Sequence, residues 1–485
     1  MLAGLAASAI GGTAWAGAPA TSLRPHMRGA RPAAPAADAL IAKANLTGAV
    51  AFAVLDAQSG AVLEAKDATL SAPPASVAKA LTALYALDVL GPNHRFATRV
   101  IASGGVQNGV VQGDLWLVGG SDPTTDTRDY AQLALRMKEA GVREVRGAFR
   151  VFEGPVASLR SIDPGQPDHV GYNPAIAGIA LNFNRVHFEW SRQSNGYRVT
   201  MDARAGKYRP AVEVARMEVV DRAGPVYTYS DRQGRDEWTV ARGALGREGA
   251  RWLPVRRPGL YAGEVFATLS RSNGIVLKAP EVTRRAPQGV EVARIESAPL
   301  VDILRGMLKH STNITAEMVG LAASYVRAGS ARSLPASAAE MNRWAIEMLG
   351  MQSPALRDHS GLSGDSRISA LDMVKGLAAV GRAAQLRPIL KPVVMRDAQG
   401  RPDKSHPVKV AAKTGTLNFV SGLAGYITAT DDRELVFAIF TADIQRREAI
   451  PRAEREAPPG ARPWARRSRG LQRALLSRWG TSLDS

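Results

Sequence analysis

The sequence predicts that a helix begins within the stretch Pro73-Pro74-Ala75-Ser76-Val77-Ala78-Lys79-Ala80-Leu81-Thr82-Ala83. Two prolines end the extended run before it, and proline followed by serine is typical of a helix N-terminus. Ser76 would then lie at the start of the helix, with Lys79 one turn further on. Side chains three positions apart share a helix face, with Cβ atoms roughly 5–6 Å apart. The stretch therefore predicts a hydroxyl and an amine within reach of each other, at the positive end of a helix dipole.

These two side chains have the chemistry of a nucleophile and its base. A serine hydroxyl is a weak nucleophile until a neighbouring base accepts its proton. A lysine is such a base only when its amine is neutral, which requires burial or a second cation nearby. The S-x-x-K pattern alone also fits an ordinary capped helix, so the interpretation depends on the rest of the chain.

Length and composition exclude several classes of protein. The chain has 485 residues, which is too long for one core and predicts two or three domains. It contains no cysteine, which excludes disulfides, thiolate metal sites and thiol catalysis. Its seven histidines are dispersed without H-E-x-x-H spacing, so each is expected at the surface or at a helix end.

The net charge of +18 has three readings, which are nucleic acid binding, adhesion to an anionic envelope surface, and a generally arginine-rich composition. The arginines are scattered through every segment and no nucleic-acid-binding motif is present. We therefore expect no nucleic acid partner, and we keep peripheral contact with an anionic envelope surface as an open interpretation.

The N-terminus has the features of an export signal. Residues 2–14 are small and apolar, and Ala14-Trp15-Ala16 fits a small-x-small cleavage site, although no Lys or Arg precedes the apolar run. We predict a signal-like segment over residues 1–16 and an exported, periplasmic protein, with a start codon that is open to reassignment. Residues 17–38 are rich in Pro, Ala and Arg and predict a disordered lead-in.

The remaining elements predict an α/β (α+β) domain interrupted by an insert. Residues 39–95 contain a hairpin pattern and the Ser76 helix, and residues 290–445 contain four helices followed by antiparallel strands. Between them, short β-like runs alternate with turns. They predict two modules, one over residues 96–170 and 262–289 and the other over residues 171–261. The last 40 residues, 446–485, carry ten arginines and are predicted to be a solvated basic tail.

Two further motifs follow Ser76 and Lys79 in the chain. Ser311-Thr312-Asn313 comes directly after a helix that is predicted to end at His310, so it would lie on a turn. Lys413-Thr414-Gly415-Thr416 comes at the end of a predicted strand. S-x-x-K, S-x-N and K-T-G in this order, on a helix start, a turn and a strand, form a specific set.

With these motifs the sequence resembles the penicillin-binding D-alanyl-D-alanine carboxypeptidases of the low-molecular-mass, endopeptidase-type class (class C), peptidase family S13. Ser311 lies 235 positions after Ser76, which agrees with the large insert of this class, since the compact β-lactamases have a far shorter gap. Other stretches that agree are Gly113-Asp114-Leu115, Gly119-Gly120-Ser121-Asp122-Pro123, Leu181-Asn182-Phe183-Asn184, Ser297-Ala298-Pro299-Leu300, Asp358-His359-Ser360-Gly361-Leu362-Ser363 and Gly422-Leu423-Ala424-Gly425-Tyr426.

The resemblance implies a β-lactamase/transpeptidase-like domain of antiparallel sheet plus helices. It also implies a serine-type carboxypeptidase or endopeptidase that cleaves peptidoglycan peptide stems through an acyl-enzyme, with β-lactam antibiotics as covalent inhibitors. No metal and no other cofactor is expected. The expected catalytic residues are Ser76, Lys79, Ser311 and Asn313, and the expected substrate-binding residues are Lys413, Thr414, Gly415 and Thr416.

The sequence departs from the family pattern at three positions. Thr312 stands where relatives more often carry Asp or Asn, Gly364 replaces the Arg after S-G-L-S, and Glu153 stands for an acidic strand residue that is usually Asp. The last two concern how the peptide stem is held and not the reaction class. Two alternatives remain open, which are a serine β-lactamase or esterase on the same fold and a non-catalytic peptidoglycan-binding protein.

Overall fold

The computed structural model describes residues 35–397 and 399–482. The signal-like segment predicted over residues 1–16 and residues 17–34 of the predicted lead-in lie outside the described residues. The end of the lead-in differs from the prediction, because a helix already begins at Ala37. Within the two described ranges, no helix combines the length and the apolar character that crossing a membrane requires.

Helices occur throughout the described chain. In chain order, the α-helices are α1 (Ala37–Ala44), α2 (Ala78–Val89), α3 (Thr127–Glu139), α4 (Pro258–Ser272), α5 (Leu300–His310), α6 (Asn313–Ala328), α7 (Leu334–Leu349), α8 (Ala370–Ala378), α9 (Arg382–Leu386), α10 (Ile444–Glu448) and α11 (Ala461–Ser482). Short 3-10 turns lie at Ala75–Val77, Asn182–Asn184, Arg242–Ala244, Arg387–Ile389 and Arg452–Glu454. α8 and α9 are separate helices, because Gly381 between them has a φ of 77°.

The strands form six sheets within the described residues, of which the largest have six and five strands. In chain order, the strands are β1 (Ala49–Asp56), β2 (Val62–Lys66), β3 (Ala97–Ala102), β4 (Val106–Gln107), β5 (Val110–Val111), β6 (Leu115–Val118), β7 (Glu144–Val145), β8 (Phe149–Phe152), β9 (Arg185–Gln193), β10 (Gly196–Asp202), β11 (Ala215–Val220), β12 (Tyr227–Arg232), β13 (Arg235–Ala241), β14 (Glu248–Pro254), β15 (Pro280–Thr283), β16 (Val290–Glu296), β17 (Lys391–Pro392), β18 (Met395–Arg396), β19 (Pro402–Asp403), β20 (Lys409–Leu417), β21 (Val420–Thr428) and β22 (Glu434–Ala442).

A six-stranded antiparallel sheet joins the two ends of the chain. Its strand order is β17-β20-β21-β22-β1-β2. β1 pairs with β22 along its whole length, from Ala49 opposite Ala442 to Asp56 opposite Leu435. β21 and β22 are buried on both faces, which is why their sequences are continuous apolar runs and not alternating ones. This sheet brings the K-T-G strand into the same layer as the N-terminal hairpin.

The helix that carries Lys79 lies between the sheet and a layer of helices. Leu81 and Leu84 of α2 share one buried cluster with Met307 of α5, Trp344 of α7 and Phe440 of β22. Burial of this kind stabilises a helix through tertiary packing more than through its intrinsic propensity. The start of α2 is therefore held against the sheet by the centre of the domain's core.

The C-terminal tail differs from the prediction of a solvated segment, because its last part forms α11 and packs on the other face of the sheet. Trp464, Leu471, Leu475 and Trp479 of α11 are buried, and the Trp479 ring lies 5.5 Å from the ring of Phe52 in β1. The buried apolar residues recur at helical spacing along α11, and the arginines between them occupy the outward face. Because the arginines dominate the composition of this segment, the apolar face is not apparent from the sequence. The tail is part of the core around the sheet.

The insert is built on a five-stranded sheet in the order β15-β8-β6-β3-β16, against which α3 and α4 pack. Two three-stranded sheets, β10-β9-β14 and β11-β13-β12, lie between β8 and α4 in the chain. β16 pairs with β3, so a strand that the sequence assigned to the catalytic domain from residue 290 lies in the sheet of the insert.

Candidate active site

Ser76 lies in the 3-10 turn that leads into α2, and so at the start of the helix, as the sequence predicted. The turn begins at Ala75, which has a positive φ of 47°. The next turn of helix brings Lys79 back under the serine, and Lys79 Nζ lies 2.9 Å from Ser76 Oγ. The predicted spacing between hydroxyl and amine is therefore realised, with Ser76 partly exposed and Lys79 fully buried.

The amine of Lys79 is held by two further oxygens from distant segments. Its Nζ donates to Asn313 Oδ1 at 2.8 Å and to the main-chain oxygen of Ser360 at 2.7 Å. Burial lowers the pKa of Lys79 to about 8, against the negative charges of Glu317 and Asp358, which act to raise it. A lysine with a lowered pKa has the neutral form that a base needs within the physiological pH range.

The S-x-N segment lies on a tight turn between α5 and α6. Ser311 follows the last residue of α5 with a φ of 57°, and Asn313 is the first residue of α6. Lys413 Nζ donates to Ser311 Oγ at 3.0 Å and to the main-chain oxygen of Thr414 at 2.7 Å. Burial first, and then the charges of Lys79 and Lys391, lower the pKa of Lys413 to about 7.

The strand β20 presents its K-T-G segment as a free edge beside the nucleophile. On one side it pairs with β21 along its length, but on the other side β17 reaches only Ala411 and Ala412. Within the described residues, no strand covers that edge beyond Ala412. A Cβ on Gly415 would lie 2.6 Å from the main-chain oxygen of Pro74, so only glycine allows β20 to approach the serine turn this closely. An extended peptide could add to this edge as a further strand.

Sequence reasoning quoted the loop of residues 358–363 only for its resemblance and missed what it does in the structure. Glu317 lies one turn after Asn313 in α6 and accepts the N–H groups of His359 and Ser360, each at 2.9 Å. Asp358 accepts the N–H groups of Gly361 and Ser363. Two buried carboxylates therefore hold the loop that places an acceptor on Lys79. The sequence did contain a signal for this role, since Glu317 is the single acidic residue of the largely apolar helix α6.

His359 contradicts the expectation that each histidine lies at the surface or at a helix end. It is fully buried, and its Nε2 lies 2.7 Å from Ser337 Oγ. Its ring fills the space opposite Gly320 in α6, where a Cβ would come within 2.2 Å of the ring. Burial lowers the pKa of His359 to about 3, so the ring is a neutral packing group below the active site.

Four of the eight predicted site residues, Ser76, Ser311, Asn313 and Thr416, line one cavity of about 830 Å³. The buried Lys79 and Lys413 do not line it but contact Ser76 and Ser311 through hydrogen bonds, and Thr414 and Gly415 lie between Lys413 and Thr416 on β20. The insert contributes Tyr172, whose main-chain oxygen accepts a hydrogen bond from Asn313 Nδ2 at 2.9 Å. The insert is thus in contact with the S-x-N turn as well as forming one side of the groove.

This geometry serves acyl transfer. A carbonyl group that lies along the free edge of β20 would meet the Ser76 hydroxyl, and the amine that would accept its proton is already in place. Fold and site together define a class, the serine hydrolases that use lysine and not histidine as the base.

The sequence model of the D-Ala-D-Ala carboxypeptidase 3 (S13) family matches residues 34–457. The chain belongs to this family, which confirms the resemblance found in the sequence. It is a serine peptidase of the penicillin-binding D-Ala-D-Ala carboxypeptidase/endopeptidase type.

Curated relatives and solved structures agree with this assignment. A D-alanyl-D-alanine carboxypeptidase of Actinomadura sp. (strain R39) is 30% identical over 88% of this chain and 86% of its own length. The D-alanyl-D-alanine carboxypeptidase DacB of Haemophilus influenzae is 24% identical over 76% of this chain and 79% of its own. The crystal structure of penicillin binding protein 4 (dacB) from H. influenzae, complexed with a β-lactam, superposes with a TM-score of 0.70 at 19% identity. It covers 91% of this chain and 99% of that one. The mixed α/β fold predicted from the sequence is therefore confirmed.

Proposed function

We propose that Ser76 is the nucleophile and Lys79 the base in cleavage of the D-Ala-D-Ala bond of peptidoglycan peptide stems. The observation that supports this most directly is the 2.9 Å distance between Ser76 Oγ and the Nζ of a fully buried lysine with a lowered pKa. Lys79 takes the Ser76 proton as Oγ attacks the carbonyl carbon of the penultimate D-Ala. The N–H groups of Ser76 and Thr416 stabilise the oxyanion, a contribution of about 10²–10³ in rate for each donor.

The second half of acylation releases the terminal D-Ala. The proton that Lys79 took from Ser76 is relayed through the Ser311 hydroxyl to the leaving nitrogen as the C–N bond breaks, which leaves Lys79 neutral again and Ser311 protonated. Asn313 keeps Lys79 in position through its Oδ1. Lys413 and Thr414 bind the terminal carboxylate of the substrate, and Gly415 allows the peptide to pair with β20. The result is an ester between Ser76 and the shortened stem. A water molecule then hydrolyses this ester and restores the Ser76 hydroxyl.

The same serine is expected to open β-lactam antibiotics, whose strained amide resembles the D-Ala-D-Ala bond, and to retain the acyl group. A β-lactamase needs a base that activates the deacylating water. Both oxygens of Glu317 are occupied by main-chain N–H groups, so this carboxylate is not free for that role. We therefore propose slow turnover of the penicilloyl enzyme.

The test is covalent labelling with a fluorescent penicillin. The wild-type protein should take up one label per chain, Ser76→Ala should take up none, and the matched control Ser71→Ala, an exposed serine before the turn, should label like the wild type. Labelling that persists in Ser76→Ala would refute the assignment of the nucleophile. Rapid loss of the label with release of hydrolysed penicillin would instead favour the β-lactamase alternative. Mass analysis of products from purified wall fragments separates carboxypeptidase from endopeptidase cleavage.

We further propose that the protein is exported to the periplasm and meets the anionic cell envelope through α11. The support is the signal-like pattern of residues 1–16 and a row of exposed arginines, Arg462, Arg466, Arg467 and Arg469. Recovery of the protein from a periplasmic extract with a shortened N-terminus is the expected result for export. Sedimentation with anionic but not neutral vesicles, lost at high salt, is the expected result for surface contact.

A further inference from the structure

The insert fixes the orientation of the Asn313 side chain. Asn313 Oδ1 accepts from Lys79 Nζ at 2.8 Å, and Asn313 Nδ2 donates to the main-chain oxygen of Tyr172 at 2.9 Å. An amide has one accepting end and one donating end, whereas a charged lysine only donates and a main-chain oxygen only accepts. Only one of the two amide orientations therefore satisfies both partners. The oxygen of Tyr172 decides which end of Asn313 faces Lys79.

Tyr172 belongs to an irregular segment of the insert, residues 160–173, which we call the Tyr172 loop. The loop contains no helix and no strand, so its shape depends on the side chains that bind its main-chain groups. Asn173 closes the loop at its base. Its Oδ1 accepts from the N–H groups of Ile162 and Asp163 at 3.0 and 2.9 Å, and its Nδ2 donates to the oxygen of Asp163 at 2.8 Å.

Arg256 ties together both ends and the middle of the Tyr172 loop. It follows β14 in the chain, and its Nη1 donates to the main-chain oxygens of Arg160 at 2.9 Å and Asn173 at 2.7 Å. Its Nη2 donates to the main-chain oxygen of Asp168 at 2.6 Å. Asn173 directly follows Tyr172 in the chain, so Arg256 holds the carbonyl group next to the one that binds the Asn313 amide.

Other arginines reach the loop at points further from Tyr172. Arg455 Nη1 donates to the main-chain oxygen of Gly165 at 2.8 Å, and Arg452 pairs with the carboxylate of Asp168 at 3.0 Å. Both contacts lie at least four positions before Tyr172 in the chain. Their loss would leave the adjoining carbonyl group in place, whereas loss of the Arg256 contact would not.

Arg256 is itself held in place. Its side chain is buried over the ring of Tyr229, with 6.0 Å between the guanidinium carbon and the ring centroid, and its main-chain N–H donates to the buried carboxylate of Asp236 at 2.8 Å. Burial lowers the pKa of Arg256, against the charges of Asp168 and Asp236, which act to raise it. A buried guanidinium group bound to main-chain oxygens is unfavourable compared with an apolar side chain of similar size. The contacts to the loop are therefore what distinguishes arginine from methionine at this position.

We propose that Arg256 is a positioning residue for acylation, acting through the Tyr172 loop on the amide of Asn313. While Arg256 holds the loop, Asn313 Oδ1 stays on Lys79. The inference rests on the proposed function, in which Lys79 is the base and Asn313 keeps it in position. Arg256 does not line the cavity that contains Ser76, so it acts at a distance from the reacting atoms. The insert thus takes part in acylation.

Replacement of Arg256 by methionine removes the three hydrogen bonds to the loop and nearly keeps the volume. The loop can then move, and the amide of Asn313 can rotate so that its donating end faces Lys79. We expect the acylation rate constant at saturating fluorescent penicillin to fall by about 10-fold to 100-fold, as for a displacement of about 1 Å at a catalytic group. The penicillin concentration that gives half of the maximal rate should stay close to that of the wild type, because β20 is unchanged.

The test combines Arg256→Met with Asn313→Ala in a double-mutant cycle. Each protein is mixed with saturating fluorescent penicillin, and the first-order rate constant of labelling is measured, because this constant does not depend on the fraction of the preparation that is active. If Arg256 acts through Asn313, Arg256→Met slows labelling of the wild type but adds nothing to Asn313→Ala. Arg256→Lys keeps the charge and some of the donors, so it should recover part of the rate lost in Arg256→Met.

The control is Arg204→Met, since the guanidinium group of Arg204 binds Asp202 and Glu189 of the insert and not the Tyr172 loop. This variant should be acylated like the wild type. An unchanged rate in Arg256→Met, an equal loss in Arg204→Met, or the same slowing by Arg256→Met in the Asn313→Ala background overturns the inference and leaves the proposed function intact. If Arg256→Met does not fold, Arg256→Lys takes its place in the cycle and should be slower than the wild type only where Asn313 is present. If the wild type takes up no label, the proposed function fails and the inference fails with it.

Discussion

Replacement of Gly361 by alanine tests the close approach that gives Lys79 its buried position. Gly361 has a φ of 72°, and a Cβ there would lie 1.9 Å from the main-chain oxygen of Ala75, the neighbour of Ser76. That distance is about 1.5 Å short of the 3.4 Å at which ordinary contact begins. Neither the serine turn nor the loop can move easily to relieve this contact, because Ala75 is fully buried and the loop is held by hydrogen bonds to Asp358 and Glu317.

The cost of Gly361→Ala has two parts. The left-handed backbone conformation costs an alanine about 1–2 kcal/mol. Moving the loop also removes the Ser360 oxygen from Lys79, and a hydrogen bond to a charged group contributes about 1.5–3 kcal/mol. A displacement of about 1 Å at a catalytic group lowers rates by about 10². We therefore expect acylation by a fluorescent penicillin to slow by about 100-fold and the midpoint of chemical unfolding to fall.

The matched control is Gly306→Ala in α5, where a Cβ would meet nothing within 4 Å. This variant should be acylated like the wild type and should be slightly more stable, by about 0.5–1 kcal/mol, because alanine favours a helix interior over glycine. Wild-type acylation and stability in Gly361→Ala would show that the loop does not constrain the serine turn and would refute the reasoning.

Three other predictions follow from the site and the sheet. Acylation should have a bell-shaped pH profile with its maximum between pH 7 and 8. The rising limb reflects deprotonation of Lys79, whose pKa is about 8, and the falling limb reflects loss of the charge on Lys413, whose pKa is about 7. A rate of acylation that still rises above pH 9 would contradict this prediction. Trp479→Ala should lower the free energy of unfolding by about 3–5 kcal/mol, since the ring is fully buried, whereas exposed Arg467→Ala should change it by less than about 0.5 kcal/mol in urea denaturation. Gly320→Ala should destabilise the protein and slow acylation because its Cβ collides with the His359 ring, and the second change His359→Gly should restore both; a double variant no better than the single one would exclude this pairing.

The sequence determined the parts of the site that depend on local geometry. The spacing of Ser76 and Lys79 places both side chains on one helix face, and the glycine in K-T-G allows a close approach of the strand. The order of three motifs and the long gap between the first two were sufficient to indicate the family. The antiparallel strands that follow the last of the predicted helices, observed as β21 and β22, were also predicted, because apolar runs bounded by turn residues are local signals.

Only the tertiary structure decided how Lys79 is buried and what else lines the cavity beside Ser76. Its burial and its acceptor on Ser360 depend on a loop 281 positions away in the chain, and no local spacing encodes such a contact. The same holds for Tyr172 beside Asn313 and for α11, whose buried tryptophans are hidden in the sequence among arginines. The physical reason is that helix periods and turn chemistry act over a few residues. Burial and charge clustering, in contrast, are set by the six-stranded sheet, which joins the two ends of the chain.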